Sequence, residues 1–470
     1  MMDSENKYKL DFSEKGKIYF VGIGGISMSG LAEILLDAGF EVLGSDRSSS
    51  AITEGLESKG IKVFYGQKYE NITADIDCVV FTAAIHPDNP EYVAAKDFGL
   101  NMLTRAELLG QIMLNYRVAV AVSGTHGKTT TTSMISEILM AADTDPTLSI
   151  GGVLNSIGGN VRVGAHDVFV TEACEYTNSF LSFFPTVSVI TNIEEDHLDF
   201  FKDIHDIRNS FKKFAQILPD DGTLVIGGEI EEYKVVTDGL KCKVVTFASK
   251  DTDVYGRKVD YYPENISFDS LGRAQFTAVT PLGKREIGLM VPGEHNIVNA
   301  LAALAIADTL GVDVALSSKS IGNYKGTDRR FEYKGVINGV TVIDDYAHHP
   351  TEVEATLKTA AKIEKNNLWV VFQPHTYTRT KSFMKEFAQA LSLADKVILP
   401  DIYAARETDT LGVSSEILCN EISALGTECH YISSFEEIKN YLLKNCTKGD
   451  LLITMGAGEA YKIGESLLKE

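Results

Sequence analysis

The chain has 470 residues, 44% of them apolar and 23% charged, and at about 150 residues per domain it is expected to form three soluble globular domains. Its 44 basic and 65 acidic residues give a net charge of −21, which excludes a nucleic acid or an anionic membrane as a partner held by long-range attraction. An anionic ligand must instead be held by local cations and backbone N–H groups. Six cysteines (Cys78, Cys174, Cys242, Cys419, Cys429 and Cys446) stand singly, without a CxxC. That argues against a disulfide framework or a structural zinc site and for a reducing cytoplasm. No apolar run reaches about 18 residues, so no membrane insertion is expected, and the charged start MMDSENKYKLDFSEKGK reads as neither a signal nor a transit peptide.

Three stretches alternate strand-like and helix-like patterns, which implies α/β domains built on parallel sheets. The first holds strands at Lys17–Gly22, Glu41–Gly44 and Asp77–Thr82, with a helix at Met28–Ala38. The second holds strands at Arg117–Val122, Asp167–Thr171 and Thr186–Thr191, with a helix near Thr131–Met140. The third holds strands at Val340–Asp344, Leu368–Phe372, Lys396–Pro400 and Asp450–Met455. Breaks in periodicity near Asn115 and Thr327 divide the chain into domains 1–115, 116–326 and 327–470.

Two glycine loops follow strands and precede helices. In the first, Gly22, Gly24, Gly25 and Ser27 form a turn that lets backbone N–H groups approach a phosphate, and Asp46 stands where a dinucleotide fold places its ribose acceptor. A nucleoside diphosphate, NAD and a purely structural turn all fit this loop, although Ser27 stands where a dinucleotide fingerprint has Gly or Ala. The second loop, Gly124-Thr125-His126-Gly127-Lys128-Thr129-Thr130, has the composition of a phosphate cradle. Lys128 would reach the β and γ phosphates and the Thr129 hydroxyl a Mg²⁺. Glu172 and His197 close two later strands, and ligands bind at the carboxyl ends of such strands, so the pair is expected to complete the metal site with Thr129. Glu175, Glu194 and Glu195 read as solvated loop charge.

In order, GTHGKTTT, EACEY, TNIEEDHLD, PGEHNIVNALAA, DDYAHHPTE, PHTYTRTK and GAGE resemble the Mur ligases, over Gly22 to Glu459. The resemblance implies a Rossmann-like N-terminal domain, a central P-loop ATPase domain and a Rossmann-like C-terminal domain. It also implies ATP-dependent amide formation in peptidoglycan precursor synthesis: a muramoyl carboxylate is phosphorylated, an amine attacks, and phosphate leaves. EACEYTNSF and DDYAHHPTE look more like the members that add L-alanine to UDP-N-acetylmuramate than like those that attach a preformed tripeptide.

By the same resemblance, the first loop and Asp46 hold UDP, which disposes of NAD. His295, Asn296 and Asn299 contact adenine, and Arg330 and Asp345 lie near the ATP phosphates. His348, His375, Arg379 and Arg406 are candidates for the alanine or the acyl phosphate, with His348 and Arg379 joining Lys128, Glu172 and His197 as catalytic. The expected ligands are ATP, Mg²⁺, the sugar nucleotide and alanine, acting on a monomer or homodimer. Several relatives carry a carbamylated lysine some fourteen residues after the DHLD histidine. Here that position is Phe211, flanked by Lys212 and Lys213, so no carbamate is expected. An oxidoreductase, or a nucleotide switch that has lost ligation, would leave Lys128, Thr129, Glu172 and His197 without a shared use.

Overall fold

The computed structural model describes residues 8–82 and 84–470, so the first seven residues of the charged N-terminal stretch lie outside the described residues. Near the N-terminus the apolar strand Lys17–Val21 is the middle of a five-stranded, wholly parallel sheet. Glu41–Asp46 and Lys62–Tyr65 lie on one side of it, Cys78–Phe81 and Asn101–Thr104 on the other. This is the doubly wound order expected of a Rossmann-like unit. The following seven-stranded sheet has Val118–Ser123 at its centre, between Val187–Ile190 and Val168–Glu172. Its only antiparallel pairing among the described strands is at one edge, between Thr147–Leu154 and Gly159–Arg162. The last sheet has six strands, ordered Glu332–Ile337, Val340–Asp345, Leu451–Met455, Leu368–Phe372, Lys396–Leu399 and Glu428–Tyr431. Only its first pairing is antiparallel.

The expected strands are present, and the differences from the sequence reading are informative. The helix after the second loop begins at Lys128 rather than Thr131, because Gly127 takes φ +80° and turns the chain directly into the helix. A separate antiparallel sheet, Tyr262–Phe268, Arg273–Thr280 and Gly283–Pro292, was not anticipated. Alternation does run through Lys284–Val291, where every second side chain is buried. One inward position is Arg285, 5% exposed and paired with Asp308, and a charge there hides the period-two pattern.

One continuous apolar core joins the first sheet to the central one, from Leu10 through Phe180 and Phe214 to Cys242. The third unit packs on apolar clusters of its own, around Phe372 and Trp369. Its contacts with the centre are polar: Arg379 to Asp196, Arg406 to Asp199, Thr351 to Glu194 and His349 to the Glu195 carbonyl. No helix among the described residues is long and apolar enough to cross a membrane.

The first two units approach closely enough to require glycine. A Cβ at Gly110, in the helix Arg105–Met113, would stand 1.9 Å from the Ser182 carbonyl oxygen. Gly110→Ala should therefore destabilise the protein by about 1–3 kcal/mol, the usual cost of overpacking. Gly55→Ala, on a helix with nothing within 4 Å, should gain about 0.5–1 kcal/mol from the unfolded state. Thermal unfolding of the two variants checks this, with midpoints expected to move in opposite directions.

Candidate active site

The second glycine loop lies at the carboxyl end of the central strand Val118–Ser123. Gly124, at φ +136°, passes so close to Thr191 that a Cβ would meet its hydroxyl at 2.0 Å, and a Cβ at Gly127 would meet Asn299 Oδ1 at 2.5 Å. Thr125 N–H donates to the Asn192 carbonyl (3.2 Å) and His126 N–H to Asn192 Oδ1 (2.7 Å), tying the loop to the neighbouring strand end. The first N–H groups of the helix Lys128–Ala141 have no partner within the helix, so they are available to an anion.

Lys128 is largely buried, and its ammonium donates to the Thr125 carbonyl (3.1 Å) and to Glu175 (3.1 Å). Burial opposes its charge, but the Glu175 carboxylate outweighs that and keeps it protonated. Glu175 is thus not solvated loop charge, as the sequence reading had it. It is 2% exposed and also lies 3.7 Å from His197 Nε2. Glu194 corrects the same expectation, since it accepts from His126 (3.2 Å) and Thr351 (2.7 Å). Glu195 is exposed, as expected. The signal for Glu175 was its place three residues after Glu172, but which of the two acids meets the lysine depends on the turn between them.

The Thr129 hydroxyl donates to Glu172 Oε2 at 3.1 Å, and Glu172 Oε1 accepts from Gly151 N–H at 2.6 Å. Burial raises the Glu172 carboxyl, against the pull of Gly151, Arg330 and Lys128. Thr129 and Glu172 therefore meet as expected. His197, at φ +52°, is linked instead to Glu175, the partner of Lys128, and its ring lies tilted against Tyr176. Arg330 donates to Thr129 Oγ1 at 3.2 Å. Asp345 accepts from Ala347 N–H (2.8 Å), Phe331 N–H (3.2 Å) and Thr356 (3.0 Å), so it organises the start of the third unit. Burial pushes its carboxyl up to about 6.

Two cavities flank this centre. The larger, of about 900 Å³, is lined by His126, Gly127, Thr130, Asn296, Arg330 and Asp345 among others. Asn296 and Asn299 are linked to each other (3.0 Å), and Asn299 accepts from Thr131 (3.3 Å). His295 sits exposed at the rim. The smaller cavity, of about 170 Å³, lies in the polar seam and is lined by Asp196, His197, Tyr346, His348, Arg379 and Arg406, with His375 beside them. The adjacent histidines diverge: His348 faces the small cavity and His349 the large one, where its ring lies tilted against that of His126 at 4.5 Å.

Arg379 and Arg406 are not free cations. Arg379 is buried against Asp196 at 2.9 Å and donates to His375 Nδ1 at 3.0 Å, and Arg406 pairs with Asp199 at 3.3 Å over the Tyr176 ring. Asp196 carried no sequence signal of its own. Burial lowers His348 to about 3 and His375 to about 4, the latter with help from Arg379, so both imidazoles are neutral.

The first loop stands apart from both cavities. Gly22 and Ile23 N–H donate to the Ser45 carbonyl, Gly24 N–H to Asp46 (2.8 Å) and Gly25 N–H to the Gly22 carbonyl. These glycines shape the turn, and Asp46 braces it. The N–H groups left for an anion are those at the start of the helix Ile26–Asp37, where Ser27 is exposed.

Comparison with known proteins places this architecture. Residues 17–117 match the Mur ligase family catalytic domain, 122–307 the Mur ligase middle domain and 329–458 the Mur ligase glutamate ligase domain. The chain is 60% identical over 463 residues to the UDP-N-acetylmuramate–L-alanine ligase of Lachnospira eligens, covering 98% of this chain and all of that one. It is 56% identical to the ligase of that name from Agathobacter rectalis, over 466 residues. Among solved structures, the UDP-N-acetylmuramate–alanine ligase of Thermotoga maritima superposes with a TM-score of 0.78 at 30% identity, over 96% of this chain and 98% of that one. A murein peptide ligase from Psychrobacter arcticus gives 0.70 at 25% identity, over 97% and 98%. Similarity of this extent along all three domains means that the chain belongs to the Mur ligase family.

Proposed function

We propose that this chain is an ATP-dependent ligase that joins L-alanine to the carboxylate of UDP-N-acetylmuramate, releasing ADP and phosphate. The observation that carries the reading is the pairing of two cavities on one seam. A phosphate-loop cavity large enough for a nucleotide adjoins a cavity of about 170 Å³ that suits a small amino acid.

A carboxylate is a poor electrophile, so its oxygen first takes the γ-phosphoryl group and ADP leaves. Lys128, kept charged by Glu175, and Arg330, bonded to Thr129, offset the charge that develops during this transfer. Thr129 and Glu172 form an oxygen donor set of the kind Mg²⁺ takes, whereas His197 contacts Glu175 rather than either of them. When bound there, the ion would supply further positive charge to the phosphoryl group. The amine of alanine must then lose a proton to attack the acyl carbon. His348 is neutral and its Nδ1 faces the Tyr346 carbonyl at 3.0 Å, which leaves Nε2 free to accept a hydrogen bond from the amine and orient it in the small cavity. The tetrahedral intermediate expels phosphate and leaves the amide. Closure of the third domain along the polar seam would keep water from the acyl phosphate.

We assign UDP to the first loop, with domains 1–115, 116–326 and 327–470, and place the reaction in the cytoplasm. The six free thiols support that compartment. The decisive assay combines UDP-N-acetylmuramate, ATP and L-alanine and measures phosphate release. A requirement for all three supports the reading, and activity with a tripeptide but not with alanine overturns it.

Lys128→Ala should lower kcat by on the order of 10²–10³-fold, the usual loss for one electrostatic stabiliser, while UDP-N-acetylmuramate still binds. Calorimetric titration of the variant checks this, with no heat expected from NAD. A collapse of sugar-nucleotide affinity would mean that the two loops serve one site.

No lysine carbamate is needed. Phe211 is fully buried against Phe180, while Lys212 faces Asp238. Activity in CO₂-stripped buffer should equal that with added bicarbonate, and a carbon-13 carbamate signal on Lys212 or Lys213 would contradict this.

A further inference from the structure

The helix Pro350–Ala361 begins where the two cavities meet, and its Glu352 divides its two oxygens between them. Oε2 accepts the N–H groups of His348 (3.1 Å) and His349 (3.4 Å) and lies 3.4 Å from His348 Nδ1. Oε1 lies 3.5 Å from Nδ1 of His126 in the phosphate loop and 3.8 Å from Nη1 of Arg330. The side chain is 13% exposed. Capping the helix needs only Oε2, because Glu352 and His349 close the first turn by themselves. Oε1 is turned instead across the seam, toward the loop that holds the nucleotide.

The same region has the spacing of a metal site, since donor atoms of His126, Glu194 and His349 lie within 4.8 Å of one another. But His349 spends Nε2 on the Glu195 carbonyl and Nδ1 on Thr351 N–H. His126 is bracketed by the carboxylates of Glu194 and Glu352. The cluster is an ion-pair bridge between domains, not a set of free ligands.

We propose that Glu352 is a positioning residue that bolts the phosphate loop to the amino-acid pocket, so that the acyl phosphate meets the amine rather than water. This rests on the ligase reading above. If the bolt is lost, water attacks the acyl carbon, the bond to the phosphate oxygen breaks, and phosphate leaves with the carboxylate restored. ATP is then consumed without an amide.

Glu352→Gln tests this. Glutamine keeps a carbonyl for the two backbone N–H groups and preserves the capping box. It turns an NH₂ toward His126 and Arg330, so that donors face donors. The ratio of phosphate released to amide formed, about one by stoichiometry in the unmodified enzyme, should rise to about two or more in the variant, with a higher KM for alanine. His126→Gln, which removes the opposite partner, should raise the same ratio. A ratio that stays near one in both variants overturns the proposal, whatever the change in kcat.

A second measurement does not depend on the substrates. Burial works against a charge on His126, but Glu194 and Glu352 outweigh it and push its imidazole up to about 9, with His349 the other titratable ring in contact with it. NMR titration of Glu352→Gln should show that value falling by about one unit or more, and an unchanged value overturns the bolt. Should the three-substrate assay fail with the unmodified enzyme, the ligase reading falls, and the His126 titration still judges Glu352.

Discussion

The structure depends on how a chain of net charge −21 keeps cations ready for anionic substrates. Lys128, Arg330, Arg379 and Arg406 line the seam between the central and third domains, and each is paired with a carboxylate: Glu175, Glu352, Asp196 and Asp199 respectively. In a partly buried setting such pairing keeps the cation charged and fixed in direction. A phosphate or carboxylate that arrives meets charges already oriented, so little reorganisation is left for the reaction itself.

The same pairs explain why the domains are joined in two different ways. The first and second domains share an apolar core and approach to glycine distance, an arrangement that admits little sliding. The third meets the second mainly through ion pairs and hydrogen bonds. Polar contacts can exchange with water at modest net cost, whereas separating packed apolar surface exposes it. Shifting the third domain along the polar seam therefore costs less than separating the first two. The seam also carries local strain, with His197 and Thr376 both at positive φ beside the small cavity. Positive φ in non-glycine residues gathers at sites where geometry matters more than stability.

Much of this was legible from residues alone. The three parallel sheets followed from apolar runs that end in glycine or polar residues. The phosphate loop followed from a GKT between strand and helix, and Thr129 with Glu172 from that loop and the carboxyl end of the neighbouring strand. These features are local, or they depend on the rule that ligands gather at the carboxyl ends of parallel strands. The sheet Tyr262–Pro292 was missed because Arg285 interrupts its alternation at a position that is nonetheless buried, its charge met by Asp308 on a helix far along the chain.

The sequence by itself determined the family and the order of its three domains, and it placed Lys128 in a glycine loop between a strand and a helix. Tertiary structure alone decided which acid meets which base. Glu175 rather than Glu172 holds Lys128, Asp196 rather than a substrate holds Arg379, and of two adjacent histidines one faces each cavity. Glu352 reaches the phosphate loop although His126 lies more than two hundred residues earlier in the chain. The physical reason is that an ion pair depends on separation and burial, both set by how distant segments pack. Spacing along the chain constrains only neighbours on one helix or strand.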